Sequence, residues 1–215
     1  MASGRFISFE GGEGSGKSTQ IVLLARALEK AGIDVLTTRE PGGTAGAEEI
    51  RELLVRGTTD RWPPVAEALL LLAARVDHVE KTIQPALEAG TWVLCDRFTD
   101  STLAYQGVGH GLGVDRVRAL QASVLGDFAP DMTVILDVSV EAGLARAFGR
   151  AGAEDRYERM DVDFHRRIRQ TFLDIAREEP ARCVVIDAER GLEAVQNDVR
   201  AAVAARLGVA LPEIA

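Results

Sequence analysis

FEGGEGSGKST spans Phe9–Thr19 and decides the fold, because it follows a short apolar run and precedes an amphipathic segment. Within it, GGEGSGKS fits the pattern G-x-x-x-x-G-K-[ST] of a phosphate-binding loop between a strand and a helix. Glycines let backbone N–H groups converge on phosphate oxygens, and the helix N-terminus adds the positive end of its dipole. We therefore predict a nucleoside triphosphate site formed by Gly11, Gly12, Glu13, Gly14, Ser15, Gly16, Lys17 and Ser18.

Three side chains of this loop have different expected roles. Lys17 should reach the β- and γ-phosphates, and the Ser18 hydroxyl should ligate Mg²⁺. Glu13 is unexpected in a loop that binds anions. It occupies a variable position of the pattern, however, so its side chain can point away from the backbone cradle.

The rest of the chain alternates short β-branched runs with longer amphipathic segments. Strands are predicted at RFISFE, IDVLTTRE, TWVLCD, MTVILDV and CVVIDA. Helices are predicted at about Lys17–Ala31, Ala45–Arg56, Val65–Ala89, Ser101–Tyr105, Val114–Leu125, Val140–Phe148 and Asp161–Glu178, and from Leu192 onward. Continuous apolar strands between helices indicate an α/β, doubly wound fold with about five parallel strands and helices on both faces.

The pattern predicts one domain over residues 1–215, with a single break between two helices. GRAGAEDRY, at Gly149–Tyr157, is small and charged. We expect a short mobile lid at approximately residues 147–158, and a plain surface loop is the alternative.

Composition argues against several classes of function. The net charge of -8 opposes general binding to nucleic acid or to anionic membranes, because both need basic surface. No apolar run approaches the roughly 18 residues of a membrane span. Cys95 and Cys183 lie in apolar runs and are expected to be buried thiols. With too few residues before the first strand for a signal peptide, we expect a cytoplasmic protein.

A second element of the site is indicated where WVLCDRF ends a predicted strand. Asp96 would lie at the carboxyl edge of the sheet, where it can hold a metal or its water shell. Asp137 ends another strand in the same way, so this signal alone is weak. Arg97 favours Asp96, because an Asp-Arg pair offers both a metal partner and a phosphate clamp.

Further arginines suggest a second anion. Arg39 and Arg51 flank the turn EPGGT, and Arg75 lies in a strongly apolar helix, so it should point into a cleft. The predicted lid region adds Arg146, Arg150 and Arg156. A triphosphate beside a second anion implies transfer between phosphates, in which the acceptor oxygen needs no general base and cations supply alignment and charge stabilisation.

The segments FEGGEGSGKST, TREPGGT, AARVDH, DRFTDSTLAYQG and LGDFAPDMTVILDV together resemble bacterial thymidylate kinase, in order and nearly end to end. The resemblance implies a P-loop NTPase fold, a homodimer, and phosphorylation of dTMP to dTDP by ATP and Mg²⁺. Two other readings of the glycine loop stay open. They are a P-loop kinase of another small phosphorylated acceptor and a nucleotide-dependent switch, although no N-K-x-D base-reading motif is present.

The resemblance also implies roles for matching residues. Arg51 and Arg97 would hold the dTMP phosphate, and Arg75 would bind the thymine carbonyl. Along the base and sugar would lie Ser101, Thr102, Tyr105 and Gln106, with Tyr105 where a 2′-hydroxyl would clash. The Glu40–Pro41 peptide would be cis.

The resemblance implies further roles in catalysis, and at one position this chain departs from the family. Glu13 would face the sugar 3′-hydroxyl, and lid cations, Arg150 or Arg156, would assist Lys17 and Arg97 in catalysis. Where the family commonly has an aromatic residue stacking on thymine, this chain has Leu71.

Overall fold

The computed structural model describes residues 4–148 and 156–212 of the chain. Within them, one sheet of five parallel strands is formed by β1 (Phe6–Glu10), β2 (Val35–Arg39), β3 (Trp92–Asp96), β4 (Met132–Asp137) and β5 (Cys183–Asp187). Their order across the sheet is β2-β3-β1-β4-β5. The predicted α/β fold with about five parallel strands is confirmed.

Helices connect the strands and cover the sheet. They are α1 (Lys17–Lys30), α2 (Ala45–Val55), α3 (Pro64–His78), α4 (Gln84–Glu88), α5 (Thr99–Thr102), α6 (Val114–Leu125), α7 (Val140–Phe148), α8 (Val162–Glu178) and α9 (Leu192–Leu207). Across residues 4–148 and 156–212, none of the helices combines the length and apolar character needed to cross a membrane.

The predicted single helix over Val65–Ala89 is wrong in detail. α3 is followed by a π-helical turn at Val79–Ile83 before α4 begins. Pro85 lies in the first turn of α4 and has no N–H to donate, so a regular α-helical ladder cannot pass through it. The helix predicted around Ser101–Tyr105 is also longer than expected, because α5 continues as π-helix over Leu103–Gly109.

β1 lies at the centre of the sheet and is buried along its whole length. Since successive side chains of a strand point to opposite faces, its residues divide into two sets. Ile7 and Phe9 pack in the apolar cluster that contains residues of α1 and α9. Phe6 belongs to the cluster on the other side, with Val93 and Phe98. Glu10 therefore projects on the Phe6 side of the sheet.

The strand order places the site. β1 has β3 on one side and β4 on the other, so the loops after β1 and β3 meet at one edge of the sheet. In doubly wound sheets this reversal of strand order creates a crevice beyond the carboxyl ends of the strands. The glycine loop and Asp96 both lie at this edge.

Candidate active site

The loop after β1 contains glycines that no other residue could replace. Gly11 has a φ of 133°, and a Cβ atom there would lie 2.4 Å from the carbonyl oxygen of Leu136. Gly14 has a φ of 66°, and its Cβ atom would lie 1.9 Å from the carbonyl oxygen of Gly143. Because only glycine adopts these angles at such distances, the loop can pack directly on β4 and α7.

The N-terminus of α1 faces this loop. Its N-cap, Gly16, makes no side-chain capping bond, so the positive end of the helix dipole is uncapped by a side chain. Lys17 is buried, and its Nζ donates to the carbonyl oxygens of Gly11 (3.2 Å) and Gly12 (3.0 Å) and to Ser15 Oγ (3.3 Å). Burial lowers the pKa of Lys17 to about 8, which leaves it largely cationic at neutral pH.

Ser18 and Asp96 bring two oxygen ligands together. Ser18 Oγ donates to Asp96 Oδ2 at 2.8 Å. These hard oxygens suit Mg²⁺. In the described ranges, no group of three or more His, Cys, Asp or Glu residues could hold a metal ion. Asp137, the other strand-end aspartate, is instead bound by Arg169 through hydrogen bonds of 2.7 and 2.9 Å.

Arg97 connects the loop to the neighbouring strand end. Its φ of 70° lies in the left-handed region, which is uncommon for a residue with a side chain. Arg97 Nη2 donates to Glu13 Oε1 at 2.8 Å, and the Tyr105 hydroxyl donates to the same oxygen at 2.7 Å. The guanidinium carbon lies 4.9 Å from the centroid of the Tyr105 ring, within cation–π range.

The charge of Glu13 is stabilised by these partners. Burial favours the neutral acid, but Arg97, Lys17 and the hydrogen bond from Tyr105 outweigh burial and lower the pKa of Glu13 to about 2. Glu13 is therefore a carboxylate at neutral pH. Its side chain is bound by Arg97 and Tyr105, both outside the loop's backbone cradle.

Two adjoining cavities meet at Glu13 and Arg97. The first, which we call the loop cleft, is lined by residues 13–18 and by Arg39, Glu40, Arg51, Asp96, Arg97 and Glu158. The other, which we call the second pocket, shares several of these residues and has both apolar and polar side chains elsewhere. Its lining comprises Glu13, Glu40, Pro41, Arg51, Val55, Leu71, Arg75, Arg97, Ser101, Thr102, Tyr105, Gln106, Tyr157 and Glu158.

The predicted substrate residues divide between these cavities. Arg39 lines the loop cleft only, where its Nη2 donates to Glu48 at 2.9 Å. Arg51 lines both cavities and donates to the carbonyl oxygen of Pro41 at 2.8 Å. The Glu40–Pro41 peptide is cis, as the family resemblance implies. All other predicted substrate residues line the second pocket: Leu71, Arg75, Arg97, Ser101, Thr102, Tyr105 and Gln106.

Arg75 lines the second pocket and has one polar atom for which the described residues provide no partner. Its Nε donates to Glu40 Oε2 at 2.5 Å, and its Nη2 donates to the carbonyl oxygen of Phe98 at 3.0 Å. Nη1 is buried and makes no hydrogen bond. Because buried donors are almost always paired, this nitrogen indicates a place for an acceptor atom of a ligand.

The sequence predicted two arginines of the lid region, Arg150 and Arg156, as catalytic cations. Arg150 lies outside the described residues. Arg156 is buried, pairs with Glu67 at 2.6 Å, and donates to three backbone carbonyl oxygens, those of Leu54, Thr58 and Thr59. It lines neither cavity, and its acceptors connect α3 with the end of α2 and the loop that follows α2.

Glu67 is the acceptor at the centre of these contacts. Its Oε1 accepts hydrogen bonds from Gln106 Nε2 at 2.7 Å and from the Tyr157 hydroxyl at 3.1 Å, and His110 Nε2 lies 3.3 Å away. Burial favours protonation, but His110, Gln106 and Arg156 outweigh it and lower the pKa of Glu67 to about 2. Through Gln106 and Tyr157, Glu67 supports one wall of the second pocket.

Sequence reasoning missed the buried acids around the site, namely Glu10, Glu40 and Glu67. The signal was available for two of them, since Glu10 ends an apolar strand and Glu67 lies in the same apolar helical segment as Arg75. A buried acid in such a run needs a cation or several donors as partners.

The crevice at the strand ends, with a phosphate loop on one side and a second polar-lined pocket on the other, defines a P-loop phosphotransferase. The family model described as thymidylate kinase matches residues 9–199. The chain belongs to the thymidylate kinase family.

Similar proteins extend over nearly the whole chain. A thymidylate kinase of Caulobacter vibrioides is 56% identical over 209 residues, which cover 97% of this chain and 100% of that protein. One of Rhodopseudomonas palustris is 56% identical, covering 95% of this chain and 90% of its own. The crystal structure of thymidylate kinase from Ehrlichia chaffeensis matches with a TM-score of 0.77 and 36% identity, covering 94% of this chain and 99% of that one.

We predict that Glu67→Gln destabilises the protein by on the order of 3 kcal/mol at pH 7, because Arg156 loses its buried counter-charge. The low pKa of Glu67 means that its charge stabilises the fold above the unfolded value of about 4.5, and this contribution is lost as the pH falls toward 2. The free energy of unfolding, measured with urea, should therefore be lower for Glu67→Gln than for the wild type at pH 7. This difference should become smaller at pH 3.

Glu49→Gln is the matched control for this experiment. Glu49 is exposed on α2, so its neutralisation should change the unfolding free energy little at either pH. If the difference in unfolding free energy between the wild type and Glu67→Gln stays constant from pH 7 to pH 3, a role for the charge of Glu67 is contradicted.

Proposed function

We propose that this chain transfers the γ-phosphoryl group of ATP to the 5′-phosphate of dTMP, giving ADP and dTDP. The observation that carries the proposal is the position of Arg97 and Glu13, which line both the loop cleft and the second pocket. ATP phosphates in the loop cleft would thus face an acceptor held in the second pocket across these two side chains.

The reaction needs alignment and charge stabilisation more than proton transfer. An oxygen of the dTMP phosphate forms a bond to the γ-phosphorus while the bond from that phosphorus to the bridging oxygen of ADP breaks. Because the attacking oxygen is already anionic, no general base is required. Lys17 and Arg97 would stabilise the charge on the transferred group from opposite sides.

Magnesium fits the donor set at the edge of the cleft. Ser18 and Asp96 would hold the ion, since their oxygens lie 2.8 Å apart and a hydroxyl with a carboxylate is a usual magnesium set in phosphate loops. When bound, the ion supplies positive charge to the phosphate oxygens. Lys17 and the N–H groups of the loop hold the same phosphates from the protein side.

The second pocket suits a thymine nucleotide. The unpaired Nη1 of Arg75 would donate to a thymine carbonyl, and Leu71 would pack against the base where relatives are expected to have an aromatic ring. Glu13 would accept a hydrogen bond from the sugar 3′-hydroxyl. Tyr105 and Gln106 would form the wall that excludes a 2′-hydroxyl. Arg51 and Arg97 would bind the monophosphate.

Among the lid arginines we propose Arg150 as the catalytic cation. The reason is the placement of Arg156, whose guanidinium is fully engaged with Glu67 and with backbone carbonyl oxygens. Arg156 is buried away from the loop cleft, whereas the proposed catalytic cation has to reach the phosphates there.

The proposed substrate is tested by incubating the purified protein with ATP, Mg²⁺ and a panel of nucleoside monophosphates. We expect dTMP to have the highest kcat/KM, with dTDP and ADP formed in equal amounts. Lys17→Ala is the matched control and should lose most turnover while its circular dichroism spectrum stays unchanged. Phosphorylation of another monophosphate in preference to dTMP would reject the substrate, and no phosphorylation would reject the kinase.

Tyr105 should determine the choice of sugar. We predict that Tyr105→Ala raises kcat/KM for ribothymidine 5′-monophosphate relative to dTMP by about tenfold, because the ring no longer occupies the space of a 2′-hydroxyl. Tyr105→Phe keeps the ring and should keep the preference of the wild type, although it loses the hydrogen bond to Glu13. If both variants discriminate equally well, the ring does not exclude the hydroxyl.

We also propose a cytoplasmic homodimer. Cys95 and Cys183 are buried free thiols, which suit a reducing compartment.

Leu53 and Leu69 leave 39% and 50% of their surface exposed on α2 and α3, and a contact between the two subunits of the proposed homodimer would cover this apolar area. Sedimentation equilibrium should give twice the mass of one chain; the mass of a single chain at micromolar concentration would exclude the dimer.

A further inference from the structure

Glu10 is a buried acid to which the proposed reaction assigns no role. It is the last residue of β1, and none of its surface is exposed. Its side chain lies on the same face of the strand as Phe6, whose ring packs edge-on against the ring of Phe98 with centroids 4.9 Å apart. An apolar residue would satisfy packing at this position, so a carboxylate requires another explanation.

The carboxylate binds the turn that follows β3. Glu10 Oε1 accepts the backbone N–H of Phe98 at 2.7 Å, and Oε2 accepts the Ser101 hydroxyl at 2.6 Å. Ser101 Oγ in turn accepts a hydrogen bond from Arg97 Nη1 at 3.2 Å. Glu10 therefore reaches both the backbone beside Arg97 and, through one hydroxyl, the guanidinium itself.

This turn adopts a backbone conformation that needs support. Arg97 has a φ of 70°, which side-chain-bearing residues rarely adopt. The two peptides that flank Phe98 are each held, since Glu10 accepts the N–H of Phe98 at 2.7 Å and Arg75 donates to the carbonyl oxygen of Phe98 at 3.0 Å. With both polar groups of Phe98 fixed, the left-handed residue before it has little freedom.

We propose that Glu10 is a positioning residue for phosphoryl transfer. Its carboxylate fixes residues 97–101, which comprise the turn after β3 and the start of α5, so that the guanidinium of Arg97 faces the loop cleft and the second pocket together. The inference rests on the proposed function, in which Arg97 binds the acceptor phosphate and the transferred group. It adds a residue that contacts no substrate and acts through Arg97.

The pKa of Glu10 is set by opposing effects of burial and of its hydrogen-bond partners. Burial raises the pKa of Glu10 to about 7, and Asp100 adds to this effect, while Ser101, Arg97 and Phe98 oppose it. The position is thus unfavourable for a charge, and the partners that favour the carboxylate are all members of the turn.

Glu10→Gln tests the proposal with the shape of the side chain preserved. The amide oxygen can still accept the N–H of Phe98, but the NH₂ group cannot accept the hydroxyl proton of Ser101. We expect kcat to fall by roughly tenfold or more, because small misplacements of catalytic groups have large effects, with KM for ATP within about twofold of the wild type. A merely destabilised protein would lower the melting temperature without this split.

Ser8→Ala is the matched control in the same strand. Ser8 lies on the same face, is equally buried, and its hydroxyl is hydrogen-bonded to Thr133 at 2.7 Å rather than to the turn. It should leave kcat within about twofold of the wild type. Equal kcat values for Glu10→Gln and Ser8→Ala would overturn the role of Glu10.

A double-mutant cycle shows whether Glu10 acts through Arg97. In an Arg97→Ala background, measured by transfer of radiolabelled phosphate, adding Glu10→Gln should change kcat by less than about twofold. Effects that multiply independently would contradict the proposal. All variants are assayed with the monophosphate that the wild type uses best. If the wild type does not prefer dTMP, the proposed function is rejected. The positioning role of Glu10 is rejected only by the double-mutant cycle or by the comparison with Ser8→Ala.

Discussion

The parallel pairing of β1 with β3 is the constraint on which the site depends. Phe9 lies opposite Asp96 in the register, and the N–H of Arg97 donates to the carbonyl oxygen of Phe9 at 2.9 Å. This last pair places the loop after β1 beside the turn after β3. Two contacts between distant parts of the chain then follow, Ser18 with Asp96 and Glu13 with Arg97. A slip of one residue would exchange the faces of β1 and separate these partners.

Glutamate–arginine pairs extend this arrangement outward from the strand ends. They are Glu13–Arg97, Glu40–Arg75 and Glu67–Arg156. Desolvating two charges offsets much of their attraction, so such pairs add little net stability, whereas breaking one leaves a costly buried charge. Their effect is to make alternative arrangements of the pocket walls unfavourable. The second pocket is therefore held in one geometry, in which Nη1 of Arg75 has no hydrogen-bond partner among the described residues.

The sequence predicted those parts of the site that local spacing determines. The glycine loop and the aspartate at the end of β3 follow from short patterns whose geometry is set by neighbouring residues. The placement of Arg156 could not be predicted, because its partners come from α3 and from the loop after α2. The π-helical turn before Pro85 was missed because apolar periodicity does not report a shift in helical hydrogen bonding. Arg75 was recognised as a cleft residue from its apolar helix, but its partner Glu40 lies in another segment.

The carboxylate in the phosphate loop follows from the same electrostatics. Transfer between two phosphates requires cations on both sides of the migrating group, and in the proposed reaction Lys17 and Arg97 would supply them. The two cations repel each other, and Arg97 acts to lower the pKa of Lys17. Glu13 acts in the opposite direction on Lys17 and forms an ion pair with Arg97. A loop that must share its site with a second cation thus needs an anion of its own until the phosphates arrive, and Glu13 provides that charge from outside the backbone cradle.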